Sequence, residues 1–413
     1  MKIIKSMLLA VAVWGGLFTV VDPAFAQTWT HNGAPFGFWT SIASSADGSK
    51  LVAYNFESGI GGIYTSTNSG TTWAWNSAGV DNQQWLSSIT SSADGTKLAI
   101  VDSPGLIYTS TNAGATWVSN SPPMAYWTSI ASSADGTKLV AVASSNLIYT
   151  TIDSGVTWTS NTSVMDVQPW HFAVSSADGS ILAIAAYQGM IYISTNAGTT
   201  WTSVVSVPST NWEAIVSSAD GTKLAAIARS GLVYTSPDSG ATWRSNSLPV
   251  GQWTSLASSA NGDKLVAAAC SDNNDYIDSN GPIYISTNSG TTWTLNAGGN
   301  SAWGFVAASA DGSKLVGLIG TGVYDGFTTV SWNGIYALQT TPSPQLNLVP
   351  SGSNLNVSWI IPSTNFVMQQ NSDLTTSNWM DVTNMPILNL TNLQNEVMLP
   401  MAGGNVFYRL KTP

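Results

Sequence analysis

The chain has 413 residues with 12 basic and 22 acidic side chains, and its formal net charge is −10. So few Lys and Arg residues give no electrostatic footprint for a phosphate backbone, which excludes nucleic acid as a partner. Cys270 is the only cysteine, so an intrachain disulfide is excluded, and two isolated histidines without a Cys cluster argue against a zinc site.

The first 26 residues have the pattern of a secretory signal peptide. Lys2 and Lys5 precede an apolar run over 7–21, and Ala24 and Ala26 supply the small residues that signal peptidase recognises. We expect cleavage before Gln27 and a chain secreted to the periplasm or the extracellular space. The apolar run is too short for a stable membrane span, so we expect none in the mature chain.

Two sequence elements then repeat along the chain. One reads Trp-x-Ser-Ile-Ala-Ser-Ser-Ala-Asp-Gly-x-Lys-Leu, and its copies are spaced by about 41 to 50 residues, the length of one propeller blade. The Asp or Asn of that element recurs at Asp47, Asp94, Asp135, Asp178, Asp220, Asn261 and Asp311. The second element reads Ile-Tyr-Thr-Ser-Thr-Asn-Ser-Gly-Thr-Thr-Trp and ends at Trp73, Trp117, Trp158, Trp201, Trp243 and Trp293.

Each repeat predicts four short strands, a to d, with tight turns between a and b and between c and d. In the first repeat, strand a is expected over 39–45, b over 50–54 and c over 62–66, and d begins at Thr71. Apolar or small residues on both faces suit radially stacked sheets, so we predict an all-β, seven-bladed β-propeller over 27–341. The seventh repeat lacks a strand d, and Thr28–Thr30 is expected to supply it and close the ring.

The second element resembles the Asp-box, or bacterial neuraminidase repeat, with the pattern Ser-x-Asp-x-Gly-x-Thr-Trp. In that family the box is a structural c–d turn on the side away from the ligand, and its acceptor side chain bonds to turn amides. The resemblance assigns this structural role to Asn68, Asn112, Asp153, Asn196, Asp238 and Asn288. The ring also resembles photosystem II assembly factor propellers. Their proposed basic patch is absent from this Arg-poor chain, so their assembly role is not carried over.

A second domain is predicted over 342–413. Pro342 and Pro344 mark a break, after which the repeat stops and five short strand patterns follow. These patterns indicate a small C-terminal β-sandwich, resembling loosely the C-terminal modules of other secreted bacterial proteins. A docking or spacer role and a ligand-binding role both remain open for it.

Function in a propeller is expected on the face formed by the b–c and d–a loops. The acidic residues expected there are Glu57, Asp81, Asp102, Asp166, Glu213, Asp272, Asp275, Asp278 and Asp325. The longest b–c loops, 55–61, 271–281 and 320–333, fall in adjacent blades after closure, and long irregular loops often bind ligands. The candidate ligand-binding residues there are Phe56, Glu57, Tyr276, Asp325 and Trp332. Surface decoration is the alternative.

The Trp at the start of strand a is a second candidate feature. Near the channel mouth such rings would form an aromatic platform for sugars, with Trp39 and Trp303 as candidate ligand contacts. The alternative is that they wedge between blades. The full predicted set is Trp39, Trp85, Trp127, Trp170, Trp212, Trp253 and Trp303.

The sixth b–c loop is rich in oxygen ligands, which suit calcium. Its candidate ligands are Asp272, Asn274, Asp275 and Asp278, although their spacing does not match an EF-hand. A solvated acidic loop is the alternative, and no other cofactor is expected.

The Asp-box resemblance raises the question of sialidase activity, which needs three Arg residues around the substrate carboxylate. The chain contains only Arg229, Arg244 and Arg409, which cannot meet on one face. We therefore expect a monomeric, non-catalytic binding or scaffold propeller for a glycan or an extracellular protein. The alternative is a divergent glycoside hydrolase with two carboxylates, such as Glu57 and Asp325.

Overall fold

The computed structural model describes residues 30–31, 34–35, 39–57, 60–76, 80, 86–120, 122–161, 164, 169–229, 231–247, 252–270, 281–321, 331–339, 346–360, 367–372, 378–384, 386–389, 394–400 and 406–411. The chain divides into two compact units. One contains Gln27–Thr341, and the other contains Pro342–Asn389 and Gln394–Pro413. The secondary structure of the described residues is entirely β, and no helix long and apolar enough to cross a membrane occurs among them.

Each of the first five repeats forms one four-stranded antiparallel sheet with its strands in chain order, and we number these sheets as blades one to five. Their strands are β2 (Trp39–Ser44), β3 (Leu51–Glu57), β4 (Ile60–Ser66) and β5 (Ala74–Trp75); β6 (Leu86–Ser91), β7 (Leu98–Asp102), β8 (Ile107–Ser110) and β9 (Val118–Ser119); β10 (Trp127–Ser132), β11 (Leu139–Ala143), β12 (Ile148–Thr151) and β13 (Thr159–Ser160); β14 (Trp170–Ser175), β15 (Leu182–Ala186), β16 (Ile191–Ser194) and β17 (Thr202–Ser203); and β18 (Trp212–Ser217), β19 (Leu224–Ala228), β20 (Leu232–Ser236) and β21 (Arg244–Ser247).

The last two repeats share one long strand and therefore one seven-stranded sheet. The first part of that strand completes blade six, and its last part opens blade seven. The strands are β22 (Gln252–Ser258), β23 (Leu265–Cys270), β24 (Gly281–Ser286), the shared β25 (Thr294–Ala308), β26 (Lys314–Thr321), β27 (Ser331–Gln339) and the N-terminal β1 (Thr30–His31).

The N-terminal strand completes the last sheet. Strand β1 pairs antiparallel with β27, Thr30 opposite Ala337 and His31 opposite Tyr336. The predicted closure by an N-terminal strand is confirmed. The predicted start of strand d at Thr71 is wrong, because residues 67–73 belong to the Asp-box turn and β5 begins only at Ala74.

Backbone hydrogen bonds link the a–b turns of all seven repeats into a closed ring. The alanine N–H of each a–b turn donates to the alanine carbonyl of the next turn at 2.6 to 2.8 Å, and Ala310 of the seventh repeat donates to Ala46 of the first. The ring contains as many turns as the repeat count predicts. Its alanines are Ala46, Ala93, Ala134, Ala177, Ala219, Ala260 and Ala310.

In six of the seven a–b turns, the glycine lets a lysine of the preceding blade reach that turn. Gly48 has a φ of +66°, and a Cβ there would lie 2.8 Å from Cδ of Lys314 in blade seven. Lys314 Nζ donates to the Asp47 carbonyl at 2.9 Å, which ties blade seven to blade one. The glycine is needed both for its backbone conformation and for this close approach.

The core consists of apolar layers between neighbouring blades. In six blades the first Trp of strand a lies in such a layer, 0 or 1% exposed, and packs edge-to-face against a Tyr of strand c. Blade two differs from the sequence prediction. Leu86 occupies the register position that Trp39 and Trp127 hold in their blades, and Trp85 lies outside the described residues.

The C-terminal unit contains two antiparallel sheets, of four and three described strands. They share one apolar cluster around Trp359, which includes Val357 and Val397 from one sheet and Met368 from the other. The strands are β28 (Asn347–Ser351), β29 (Asn354–Ile360), β30 (Val367–Asn371), β31 (Met380–Asp381), β32 (Ile387–Asn389), β33 (Gln394–Pro400) and β34 (Phe407–Lys411).

Candidate functional site

The a–b turns and the Asp-boxes lie at one end of the strands, which we call the box face. In the first box, Ser66 Oγ donates to Asn68 Oδ1 at 3.0 Å and accepts the Gly70 N–H at 2.9 Å. Asn68 Oδ1 also accepts the Thr72 N–H at 2.9 Å. The same bonds recur at Asn112, Asp153, Asn196, Asp238 and Asn288. The polar atoms of the box are therefore engaged within their own turn.

The aspartates of the boxes are held in their charged form. The hydroxyl and backbone N–H of Thr157, with the Thr151 hydroxyl, lower the pKa of Asp153 to about 2. Such a carboxylate is a poor proton donor or acceptor at neutral pH, so its chemistry is that of a hydrogen-bond acceptor.

A cavity of about 200 Å³ opens at the box-face end of the central channel. Serines and alanines of the a–b turns line it, and these serines bond locally. Ser44 Oγ donates to the Ser45 carbonyl, and Ser45 Oγ donates to Asp47 Oδ1 at 2.6 Å. The lining is thus part of the turn structure.

The structure contradicts the predicted aromatic platform for sugars. Trp39 and Trp303 are both 0% exposed, packed against Tyr64 and Tyr336, so neither ring has a face open to a sugar. These rings fill the layers between blades, as the alternative interpretation had it. The physical reason is that each face of strand a is covered by a neighbouring blade, one on either side.

The remaining predicted ligand residues belong to blades one, six and seven. Phe56 and Glu57 lie in β3, which pairs with β4 as far as Glu57 opposite Ile60, and Trp332 lies in β27. The segments 55–57 and 331–333 are therefore strand rather than loop, which corrects the predicted loop bounds. Tyr276 and Asp325 lie outside the described residues.

The predicted calcium ligands, Asp272, Asn274, Asp275 and Asp278, also lie outside the part of the chain that the structure describes. Within the described part, no three His, Cys, Asp or Glu side chains come together in a way that could hold a metal ion. The calcium site stays a prediction.

Four polar side chains of blades four and five meet at the opposite end of the strands, the loop face. His171 and Glu213 are the second residues of β14 and β18. In four of the other blades this position holds a Thr or Ser, such as Thr128, whose hydroxyl donates to the first residue of the next strand a. His171 and Glu213 therefore occupy positions that line the central channel.

Tyr187 and Arg229 join these two residues from the ends of strand b. Arg229 Nη1 donates to the Tyr187 hydroxyl at 3.3 Å and lies 3.7 Å from Glu213 Oε1. The His171 and Tyr187 rings lie 5.1 Å apart between centroids. We call these four residues the channel-mouth cluster.

Backbone hydrogen bonds hold the cluster in place. The Tyr187 N–H donates to the Pro169 carbonyl at 3.1 Å, and the Tyr187 carbonyl accepts the Trp212 N–H at 3.2 Å. The Arg229 N–H donates to the Asn211 carbonyl at 2.9 Å. The cluster is thus fixed by strand ends and short loops rather than by long loops.

Burial sets the protonation of the cluster. It raises the pKa of the half-buried Glu213 carboxyl, and the nearby Arg229 guanidinium partly offsets this by favouring the charged form. Burial also lowers the pKa of His171, which favours the neutral imidazole. The cluster therefore offers an exposed guanidinium, a half-buried carboxyl, a phenol and an imidazole.

Exposed apolar side chains lie on d–a segments of the same face. Met124 and Tyr126 precede blade three and are 66% and 58% exposed, and Val205 precedes blade five at 81%.

Sequence analysis placed the site in blades six, seven and one and missed this cluster. Glu213 was named only as one of nine acidic residues, and His171, Tyr187 and Arg229 were not connected with it. A signal was present in the repeat. The residue after the strand-a Trp is Thr in three blades but His171 in blade four and Glu213 in blade five.

The described sheets stack in a ring and are tied by turns that match the Asp-box pattern, so the chain has the fold of a β-propeller. The sequence profile of the Sortilin-Vps10 family, described as sortilin, neurotensin receptor 3, matches residues 189–316. No curated protein matches the chain by sequence.

Solved propellers share the fold at low sequence identity. YCF48 bound to D1 peptide is 15% identical with a TM-score of 0.57, and the match covers 78% of this chain and 98% of YCF48. The GH74 xyloglucanase from Xanthomonas campestris is 14% identical with a TM-score of 0.57, covering 81% of this chain and 59% of the enzyme. The Cps50 (Swd1) propeller domain of Myceliophteria thermophila is 14% identical with a TM-score of 0.57, covering 76% of this chain and all of that domain.

Proposed function

We propose that this chain is an exported, non-catalytic binding propeller that holds a segment of a partner protein at the channel-mouth cluster. The observation that carries the proposal is the cluster itself, in which Arg229 is exposed beside Tyr187 and the half-buried Glu213. A guanidinium offers several donors in a fixed plane, and peptide carbonyls or carboxylates are the acceptors that suit it.

The surrounding surface favours a protein over a glycan. The channel rings predicted to stack on a sugar, Trp39 and Trp303, are buried and offer no open face. Met124, Tyr126 and Val205 add exposed apolar area on the same face, which peptide side chains can cover. A solved propeller of the same fold was determined with a bound peptide, which supports a peptide-sized ligand for this architecture.

A glycoside hydrolase is less well supported. That chemistry needs two carboxyl groups about 5 to 10 Å apart. Of the acidic residues predicted for the loop face, Asp102 and Glu213 have described side chains, and they belong to the non-adjacent blades two and five. Asp102 is 0% exposed and packs under the loop of its own blade, where no substrate reaches it.

The test is a selection of random 12-residue peptides on the protein that begins at Gln27. Selected peptides should bind at least tenfold more weakly to the Arg229→Ala variant, because the exposed donor is lost. Arg244→Ala, which removes an exposed Arg from the outer strand β21 of the same blade, should leave binding unchanged.

A glycan array and a polysaccharide hydrolysis assay are run beside the selection. If the selection enriches no peptide and the array shows a bound glycan, the ligand is a sugar and not a protein. Reducing ends released by the parent chain, but not by Glu57→Gln or Asp325→Asn, would establish the hydrolase instead.

A further inference from the structure

Three polar contacts recur between neighbouring blades of this propeller. In the first, the hydroxyl of the second residue of strand a donates to the next strand a, as from Thr128 to the Trp170 carbonyl at 2.8 Å. In the second, the hydroxyl of the following Ser accepts a backbone N–H, as Ser129 accepts that of Ala173 at 3.1 Å. In the third, a lysine donates to a backbone carbonyl of the next a–b turn, as Lys138 Nζ does to the Asp178 carbonyl.

The junction between blades four and five lacks all three contacts within the described residues. His171 replaces the Thr, Phe172 replaces the Ser, and Ile181 replaces the Lys. Phe172 and Ile181 have no polar side-chain atom, and among the described residues the His171 side chain contacts the rings of Phe172 and Tyr187. The two other junctions without the hydroxyl contacts keep their lysines, Lys223 to the Asn261 carbonyl and Lys314 to the Asp47 carbonyl.

Apolar packing takes the place of these contacts. Phe172 packs against a buried cluster that includes Ala183 and Trp212, and Ile181 lies against the turn at Gly221. Hydrogen bonds have a preferred direction, whereas the hydrophobic effect is non-directional. Surfaces joined in this way can slide or tilt without leaving a polar group unpaired.

The cross-blade polar bonds of this junction are concentrated at the loop face instead. The Tyr187 carbonyl accepts the Trp212 N–H, and Gly189 exchanges two backbone bonds with Thr210 at 3.3 Å. Trp212 Nε1 donates to the Gly189 carbonyl at 3.0 Å, and Arg229 reaches the Tyr187 hydroxyl. At the box face, the junction keeps its bond of the alanine ring, which the Ala177 N–H donates to the Ala219 carbonyl.

We infer that the junction of blades four and five is a hinge. It is held by polar bonds at the loop face, it opens toward the box face, and the channel-mouth cluster controls how far it opens. Two cluster residues, His171 and Tyr187, belong to blade four, and Glu213 and Arg229 belong to blade five. A ligand that contacts both pairs closes the hinge. That last step rests on the proposed function, whereas the hinge itself does not.

The ring of alanine amides provides one reporter for each junction. Amide hydrogen exchange of the free protein, read at single residues, compares the Ala177 N–H with the Ala134 N–H, which bonds to Ala177 across the preceding junction. We expect Ala177 to exchange at least tenfold faster than Ala134. Equal rates, or slower exchange at Ala177, would show that apolar packing closes this junction as firmly as the others.

Two variants far from the loop face form a matched pair. Ile181→Lys introduces the missing lysine opposite the Asp220 turn and should slow exchange at Ala177 several-fold without changing Ala134. Lys138→Ile removes the corresponding bond of the preceding junction and should speed exchange at Ala134 while leaving Ala177 unchanged. If Ile181→Lys is silent and Lys138→Ile is not, the missing lysine is not what loosens the junction, and the hinge is rejected.

The link to the cluster is tested without any ligand. Arg229→Ala removes the bond to Tyr187 and should speed exchange at Ala177 several-fold, while Arg244→Ala should not. If Arg229→Ala does not change the exchange rate at Ala177, the cluster does not control the hinge, although the hinge itself is not rejected. If the earlier selection enriched no peptide, the proposed function would be overturned and both exchange results would stand.

Discussion

At the scale of single residues, one hydroxyl holds each Asp-box turn together. In blade two, Ser110 Oγ accepts the buried Gly114 N–H at 2.9 Å and donates to Asn112 Oδ1. Asn112 in turn accepts the Thr116 N–H. Asn and Asp both serve in this position because each supplies an acceptor oxygen, which explains why the six boxes tolerate either residue.

Ser110→Ala should therefore destabilise the propeller by about 1–3 kcal/mol, because the buried Gly114 N–H loses its acceptor. Denaturant unfolding followed by circular dichroism measures the change. Ser119→Ala, on the exposed strand β9 of the same blade, is the matched control and should shift stability by no more than about 0.5 kcal/mol. An equal loss in the two variants would show that the turn is not the cause.

The roles of the box residues were predictable from the sequence because they depend on local spacing. Ser, Asn and Gly within four residues can meet without knowledge of the fold. The channel-mouth cluster was not predictable in this way. Tyr187 and Arg229 are 42 residues apart, and only the stacking of one blade on the next brings them together.

At the scale of elements, strand a carries the apolar layer between blades. Trp127 is 0% exposed and packs edge-to-face on Tyr149, with ring centroids 5.8 Å apart. Blade two fills the equivalent position with Leu86 and places Asp102 where blade three has Ala143. Burial, together with the charge of the nearby Asp102 carboxylate, raises the pKa of Tyr54 in blade one to about 12.

Trp127→Ala should destabilise the protein by about 3–5 kcal/mol, since it leaves a large cavity between blades two and three. Trp127→Leu should cost less, because Leu86 shows that a layer can close around a smaller side chain. Trp75→Leu, at a site 57% exposed, is the control and should be close to neutral. If Trp127→Leu costs as much as Trp127→Ala, each layer has its own shape requirement.

At the scale of the whole molecule, the ring is closed in two ways. Strand β1 joins the N-terminus to β27, and Lys314 with Ala310 joins the last a–b turn to the first. The first closure covers the edge of β27, and an uncovered strand edge is a site for aggregation.

Starting the chain at Ala34, which removes β1, should lower the Tm by several degrees and increase light scattering on heating. Differential scanning calorimetry with a parallel scattering trace measures both. A chain that ends at Thr341 loses the C-terminal unit and keeps the ring, so its propeller transition should stay in place. An unchanged transition without β1 would mean that the box-face ring alone provides closure.

By itself, the sequence determined the repeats, the strand order and the closure by an N-terminal strand. These features depend on short-range spacing, turn residues and alternation, which act within one blade. Only the tertiary structure decided which side chains meet across blades. It buried the Trp rings that the sequence suggested for ligand contact, and it brought His171, Tyr187, Glu213 and Arg229 together at the channel mouth. The reason is geometric, because contacts between blades depend on how each sheet packs against the next.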